Sequence, residues 1–113
     1  MSKFDEAVDK YSAEAKKLKL DIPHDFLVKV TKGLGPSIYN ADAETVAGSD
    51  PEELKTVKNN FLIKKLGLKD DAKLDSAIDE VMEELGRSNR NKYRALVYAL
   101  LAQKFNKQSV YDK

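Results

Sequence analysis

The sequence predicts an all-α protein, a compact bundle of about five helices without a sheet, in a single domain over residues 1–113. Apolar residues recur at helical spacing along nearly the whole chain. Capping residues and glycines mark where most of these apolar stripes begin and end. No segment alternates between apolar and polar residues over a useful length, so we expect no strands.

The first two helices are predicted in the N-terminal third of the chain. Ser2 suits the N-cap of the first, and Pro23 suits the first turn of the second. Either Gly33 or Gly35 would end the second helix. The apolar stripes of the two helices consist of Phe4, Val8, Tyr11, Ala15 and Leu18, and of Phe26, Leu27, Val30 and Leu34.

Two further helices carry clear start signals. Ser49 or Asp50 would cap the third ahead of Pro51, and Gly67 would end it. Asp70 or Asp71 would cap the fourth, and Gly86 would end it. Their stripes contain Leu54, Val57, Phe61, Leu62 and Leu66, and Leu74, Ala77, Ile78, Val81, Met82 and Leu85.

The last helix is predicted to be the most buried, because both of its sides are apolar between residues 93 and 105. We expect Ser88 or Asn89 to cap it. Residues 36–48 remain ambiguous, since they fit either a short helix near residues 43–47 or a loop.

Charge is arranged in blocks of alternating sign. The net charge is −5 over residues 40–54, +4 over 55–65, −5 over 69–86 and +6 over 87–113. Helices of opposite sign attract along their edges, although an exposed pair contributes only about 0–1 kcal/mol. We therefore expect the basic start of the last helix to meet the acids of residues 70–84.

Composition excludes several classes of activity. The chain has no cysteine and one histidine, His24, so we predict no catalytic residues, no metal site and no cofactor. The net charge of +1 gives no overall attraction to nucleic acid or anionic lipid. The longest apolar run, residues 95–102, is far below the ~20 residues of a membrane span. We expect a soluble cytoplasmic protein.

Four segments together resemble a known family. They are "MSKFDEAVDKYSAEAKKL", "KGLGPSIYN", "VKNNFLIKKLGL" and "SNRNKYRALVYALLAQKF", and they resemble the bacterial Domain of Unknown Function 2853 family over almost the whole chain. The resemblance implies a small, all-helical, soluble bacterial protein of uncharacterised activity. It carries no site residues over to this sequence.

The candidate anion or partner site lies at the start of the last helix. Free backbone amides at a helix start, together with arginine side chains, suit a phosphate or a carboxylate. The alternative is a capped helix whose bases pair with acids of the same fold. The residues concerned are Ser88, Asn89, Arg90, Lys92 and Arg94.

Gly35, Lys55 and Lys58 are possible additions to this site. Gly33 and Gly35 resemble the glycines of a DNA-binding hairpin, but the five acids within residues 42–53 oppose a phosphate contact, and a helix C-cap is the alternative. Lys55 and Lys58 lie on one helix with Asn59 and Asn60. We expect these asparagines to be buried amides that tie loops together, and the alternative is a contact with a ligand.

Functionally, we predict a non-catalytic macromolecular interaction module that binds a protein partner or self-associates. The alternative is a nucleic-acid or phosphate-binding protein, and an enzyme ranks last. If both were exposed beside Arg90 and Arg94, Tyr39 and Tyr98 would form an aromatic–basic patch suited to a partner or to nucleic acid. Burial of these tyrosines would remove that argument.

Overall fold

A computed structural model describes residues 3–46, 50–86, 88–89 and 91–111. The predicted N-caps Ser2 and Ser49 and the site residue Arg90 lie outside the described residues. The elements, in chain order, are α1 (Lys3–Lys17), α2 (His24–Leu34), a 3₁₀ turn (Gly35–Tyr39), α3 (Ala41–Glu44), α4 (Pro51–Thr56) continued by a π-helical segment (Val57–Ile63), α5 (Ala72–Leu85), α6 (Arg94–Lys104) and a 3₁₀ turn (Gln108–Tyr111).

The all-α prediction is confirmed. Five longer helices are present when α4 and its π-helical continuation are taken as one, and the described residues contain no strand. A β-bridge joins Thr45 to Tyr93. The backbone N–H of Val46 also donates to the carbonyl of Lys92 at 2.8 Å. The ambiguous region therefore forms two short helical turns and then pairs with the segment that enters α6.

Helix α6 occupies the centre of the fold, as its apolar sequence predicts. Every residue from Ala95 to Ala102 is buried, and α1, α2, α3 and α5 all contact this helix. A helix that is apolar on every side is stable only when other elements cover it. The amphipathic helices each bury one face against α6 and against one another, and this produces a single hydrophobic core.

Helix ends follow the predicted signals at four positions. The side chains of Asp50 and Asp71 each accept a hydrogen bond at 3.0 Å from the backbone N–H two residues later. Gly35 and Gly86 follow α2 and α5 with φ of 64° and 89°. Such backbone conformations strain any residue with a Cβ, so glycine ends these helices at low cost.

The predicted cap of the last helix is wrong. The helix begins at Arg94, with Tyr93 at the N-cap position. Asn89 does not cap it, because the amide of its side chain donates to the carbonyl of Leu85 at 2.9 Å and its oxygen accepts from the N–H of Asn91. Asn89 therefore organises the turn after α5, and α6 starts five residues later.

The π-helical segment follows α4 without a break. It widens the helix where Phe61 packs on Tyr98 of α6, with ring centroids 4.0 Å apart and an interplanar angle of 10°. Asn59 and Asn60 lie within this segment and are exposed. The expectation that they are buried amides is therefore wrong, because the apolar side of the segment faces the core instead.

We expect the N-cap at Asp71 to be a measurable part of the stability. Asp71→Ala removes the acceptor for the N–H of Lys73 and should lower the free energy of unfolding by about 1 kcal/mol. Ser76→Ala, an exposed change on the same helix, serves as the control and should stay within about 0.5 kcal/mol of the parent. Urea denaturation measures both, and equal midpoints for the two variants would contradict the assignment of the cap.

Candidate functional site

The described residues of the predicted site at the start of the last helix differ in their exposure to solvent. Ser88 is exposed in the turn after α5. Asn89 is half-buried, Lys92 is buried, and the side chain of Arg94 is only 12% exposed. Lys92 and Arg94, two basic members of the candidate anion or partner site, thus lie largely against the protein itself.

Arg94 bonds to three groups of the fold. Its Nε donates to the carbonyl of Ala43 at 2.8 Å, one terminal nitrogen donates to the Tyr98 hydroxyl at 3.2 Å, and the other pairs with the Glu53 carboxylate. Burial lowers the pKa of Arg94, but the hydrogen bonds with Tyr98 and Glu53 outweigh it and raise the pKa overall. The guanidinium therefore stays charged and joins α3, α4 and α6.

The acid partner of Arg94 differs from the sequence expectation. Residues 70–84 were expected to supply it, and Glu53 of α4 supplies it instead. The acids of α5 pair with other lysines. Lys58 lies 2.8 Å from Asp70 and 3.2 Å from Asp75, and Lys104 lies 3.1 Å from Glu80. The hydrogen bonds with Asp70 and Asp75 raise the pKa of Lys58.

Gly35 and Lys55 lie on different parts of the molecule. The backbone N–H of Gly35 donates to the carbonyl of Lys32, so this amide serves the end of α2. Lys55 and Lys58 line a shallow cleft of about 350 Å³ between α4 and α5, together with Asp75 and Asp79. Because carboxylates face the lysines there, the cleft has no net positive charge.

A buried polar cluster connects α1 to the segment before α6. The carboxylate of Glu14, which is buried, accepts a hydrogen bond from the Asn89 side chain at 3.1 Å. Lys92, also buried, donates to the backbone carbonyl of Asn89. The bond between Asn89 and Glu14 holds the turn between α5 and α6 against the first helix.

A second cluster surrounds Glu44, which the sequence analysis did not single out. The hydroxyl of Tyr11 donates to Glu44 at 2.7 Å, and Lys10 pairs with the same oxygen at 2.6 Å. The ammonium of Lys10 also lies 5.3 Å from the centre of the Tyr93 ring. Burial, and then the bond to Glu44, raise the pKa of Tyr11 well above its ordinary value. No sequence spacing links Tyr11 to Glu44, so only the fold reveals this cluster.

An open cleft of about 400 Å³ lies directly beside Glu44. Ala7 and Ile38 are buried at its apolar floor, whereas Tyr39 at its edge is 53% exposed. Among the residues that the structure describes, Tyr39 is the exposed large hydrophobic side chain. We call this surface the α1 cleft; it is lined by Lys3, Glu6, Ala7, Lys10, Ile38, Tyr39 and Glu44.

The two tyrosines of the proposed aromatic–basic patch differ in burial and do not form a common surface. Tyr98 is 9% exposed and stacks on Phe61, while Tyr39 lies at the α1 cleft. Burial of Tyr98 removes the patch that the two residues would have formed beside Arg94. Tyr39, the exposed tyrosine, instead lies in the α1 cleft beside apolar side chains and charged groups of both signs.

These features define a small all-helical protein in which polar groups at the edge of the core bond to one another and an open cleft with an apolar floor lies beside the first helix. The chain belongs to the family described as protein of unknown function (DUF2853), whose model matches residues 10–109. The suspected family is thereby confirmed. A search of curated proteins found no match. Within the described ranges, no helix has the length and apolar character needed to cross a membrane.

We expect the pair formed by Arg94 and Glu53 to be coupled more strongly than a surface pair. A double-mutant cycle with Arg94→Met and Glu53→Gln should give a coupling energy of about 1–2 kcal/mol, because both groups are partly removed from water. The matched cycle with Lys104→Met and Glu84→Gln, a more exposed pair, should give about 0.2–1 kcal/mol. Chemical denaturation measures both cycles, and a coupling for Arg94 no larger than that for Lys104 would refute the assignment.

The raised pKa of Tyr11 predicts a loss of stability in alkali. Its ordinary value of 10.0 applies to the unfolded chain, which therefore releases a proton above this pH while the folded protein keeps it. The contribution is complete below pH 10 and declines above it by up to about 1.4 kcal/mol per pH unit. Tyr11→Phe should flatten this decline, and the exposed Tyr39→Phe should not. Thermal denaturation from pH 8 to 11 tests this, and parallel curves for all three proteins would disprove it.

Proposed function

We propose that the protein is a non-catalytic interaction module that binds a protein partner at the α1 cleft. The observation that carries the proposal is Tyr39, which is 53% exposed at the edge of an apolar floor. Tyrosine is enriched among the residues that dominate binding energy at protein interfaces, since its ring buries a large area with few rotatable bonds. A lone exposed tyrosine is ordinary, but here it adjoins a cleft.

The lining of the α1 cleft suits a protein surface. Ala7 and Ile38 supply an apolar floor, and Lys3 and Glu6 place one cation and one anion on the same rim. Protein interfaces combine an apolar centre with a polar rim in this way. Among the described residues that line the cleft, cations and anions are equal in number, which favours a partner with mixed polar and apolar groups over a polyanion.

The walls of the cleft are held by interactions behind them. Glu44 is 14% exposed and fixed by Tyr11 and Lys10, and the backbone of Val46 is bonded to Lys92. A surface that is already ordered loses little conformational entropy when a partner binds. This arrangement supports a role in recognition, because the cleft requires no rearrangement to present Tyr39.

The nucleic-acid alternative has weaker support. Phosphate binding requires basic groups that are available to replace counterions. Arg94, Lys58 and Lys104 each pair with carboxylates of the fold, and Lys92 is buried. No specific observation on the described residues favours a phosphate over these internal partners.

Photo-crosslinking from position 39 tests the proposal. A chain with p-benzoylphenylalanine in place of Tyr39 should form a discrete protein adduct in cells, because the ring lies at the proposed contact. The same reagent at Lys73, which is exposed on α5, provides the control and should not give that adduct. An adduct common to both positions, or none at position 39, would contradict the proposal. Retention on a DNA column at low salt, lost in Arg94→Ala, would favour the alternative.

A further inference from the structure

We infer that the α1 cleft binds a second copy of this chain, in a two-fold dimer where each Tyr39 closes over the other copy's cleft floor. This inference rests on the proposed function and names the partner. Two-fold dimers use the same patch on both subunits, so the patch must be complementary to itself. The α1 cleft meets this condition in its charges and in its apolar groups.

The charges of the cleft are complementary to themselves. The lining contains two cations, Lys3 and Lys10, and two anions, Glu6 and Glu44. Lys10 and Glu44 pair with each other within the chain at 2.6 Å. Lys3 and Glu6 are exposed and lie three residues apart on α1, so they are neighbours on one side of the helix. Antiparallel α1 helices around a two-fold axis would place Lys3 of each copy against Glu6 of the other.

The apolar groups are also complementary. The cleft has a floor of small or buried side chains, Ala7 and Ile38, and space above it of about 400 Å³. Tyr39 stands at the edge of the same cleft with half of its surface in water. One copy thus presents both an aromatic side chain to be covered and a floor that an aromatic side chain would cover. Symmetry places both contacts in the dimer twice.

We expect the dimer to be reversible and concentration-dependent, not permanent. The apolar part of the patch is small compared with obligate interfaces, which bury a large and mostly apolar area. Each side chain of the patch acts twice in a two-fold dimer. Tyr39→Ala should therefore weaken dimerisation at least tenfold, as expected for the loss of an interface tyrosine.

Sedimentation velocity over a concentration series up to millimolar chain tests the inference, with circular dichroism as a check that each variant is folded. The parent should shift from monomer to dimer, and Tyr39→Ala should shift the midpoint at least tenfold upward. Lys3→Glu and Glu6→Lys should each weaken the dimer, since each places like charges in contact. The double variant carrying both changes should restore it, because the two copies again present opposite charges. Lys73→Glu on α5 should leave the midpoint unchanged.

A parent that stays monomeric throughout the series would overturn the inference, as would a dimer that ignores Tyr39 and the charge reversals. The proposed function is judged separately by the adduct from position 39. An adduct with a different protein from a monomeric chain would retain the interaction module and reject self-association. No adduct, together with no dimer, would reject both.

Discussion

The structure depends on the burial of α6 on all sides. A helix in which every residue from Ala95 to Ala102 is buried cannot be covered by one neighbour, so α1, α2, α3 and α5 all pack against it. Both ends of the helix nevertheless carry a cation, Arg94 at the start and Lys104 at the end. Each cation pairs with carboxylates of another helix, Arg94 with Glu53 of α4 and Lys104 with the glutamates of α5. The electrostatic pattern of the outer helices is thus arranged around the ends of the central one.

The same constraint explains the polar groups at the margin of the core. The chain enters α6 through residues 91–93, which lie among α1 and the α3 segment, and their backbone and side chains must find partners there. Glu14 and Asn89 bond to each other, Tyr11 bonds to Glu44, and Val46 bonds to the carbonyl of Lys92. In the part of the chain that the structure describes, no buried side-chain polar atom lacks a partner. A positive helix start is tolerated here because specific acceptors, Glu53 among them, offset the unfavourable end of the helix dipole.

Local signals in the sequence predicted the helices well, because a cap or a glycine acts within one turn. Asp50, Asp71, Gly35 and Gly86 are examples, and the uniformly apolar run of α6 predicted its central position. Charge blocks predicted that the basic start of the last helix would meet the acids of residues 70–84, whereas the acids of α5 pair with Lys58 and with Lys104 at the end of α6. They did not predict that Arg94 would pair with Glu53, because the net charge of a segment does not determine which of its residues come close in the fold. The π-helical widening and the cluster at Glu44 depend on contacts between distant segments, which spacing along the chain does not encode.

The position of Tyr39 follows from the turn that carries it. A 3₁₀ turn advances about 120° per residue, so Ile38 and Tyr39 necessarily point in different directions. Ile38 is 5% exposed in the core, and this register leaves the next side chain outside. The fold therefore fixes that position 39 is exposed, but it does not require an aromatic residue there, since a polar side chain would fit the same turn without disturbing Ile38. Because the turn leaves the residue type at position 39 open, we propose this side chain as a contact of the α1 cleft and not as part of the core.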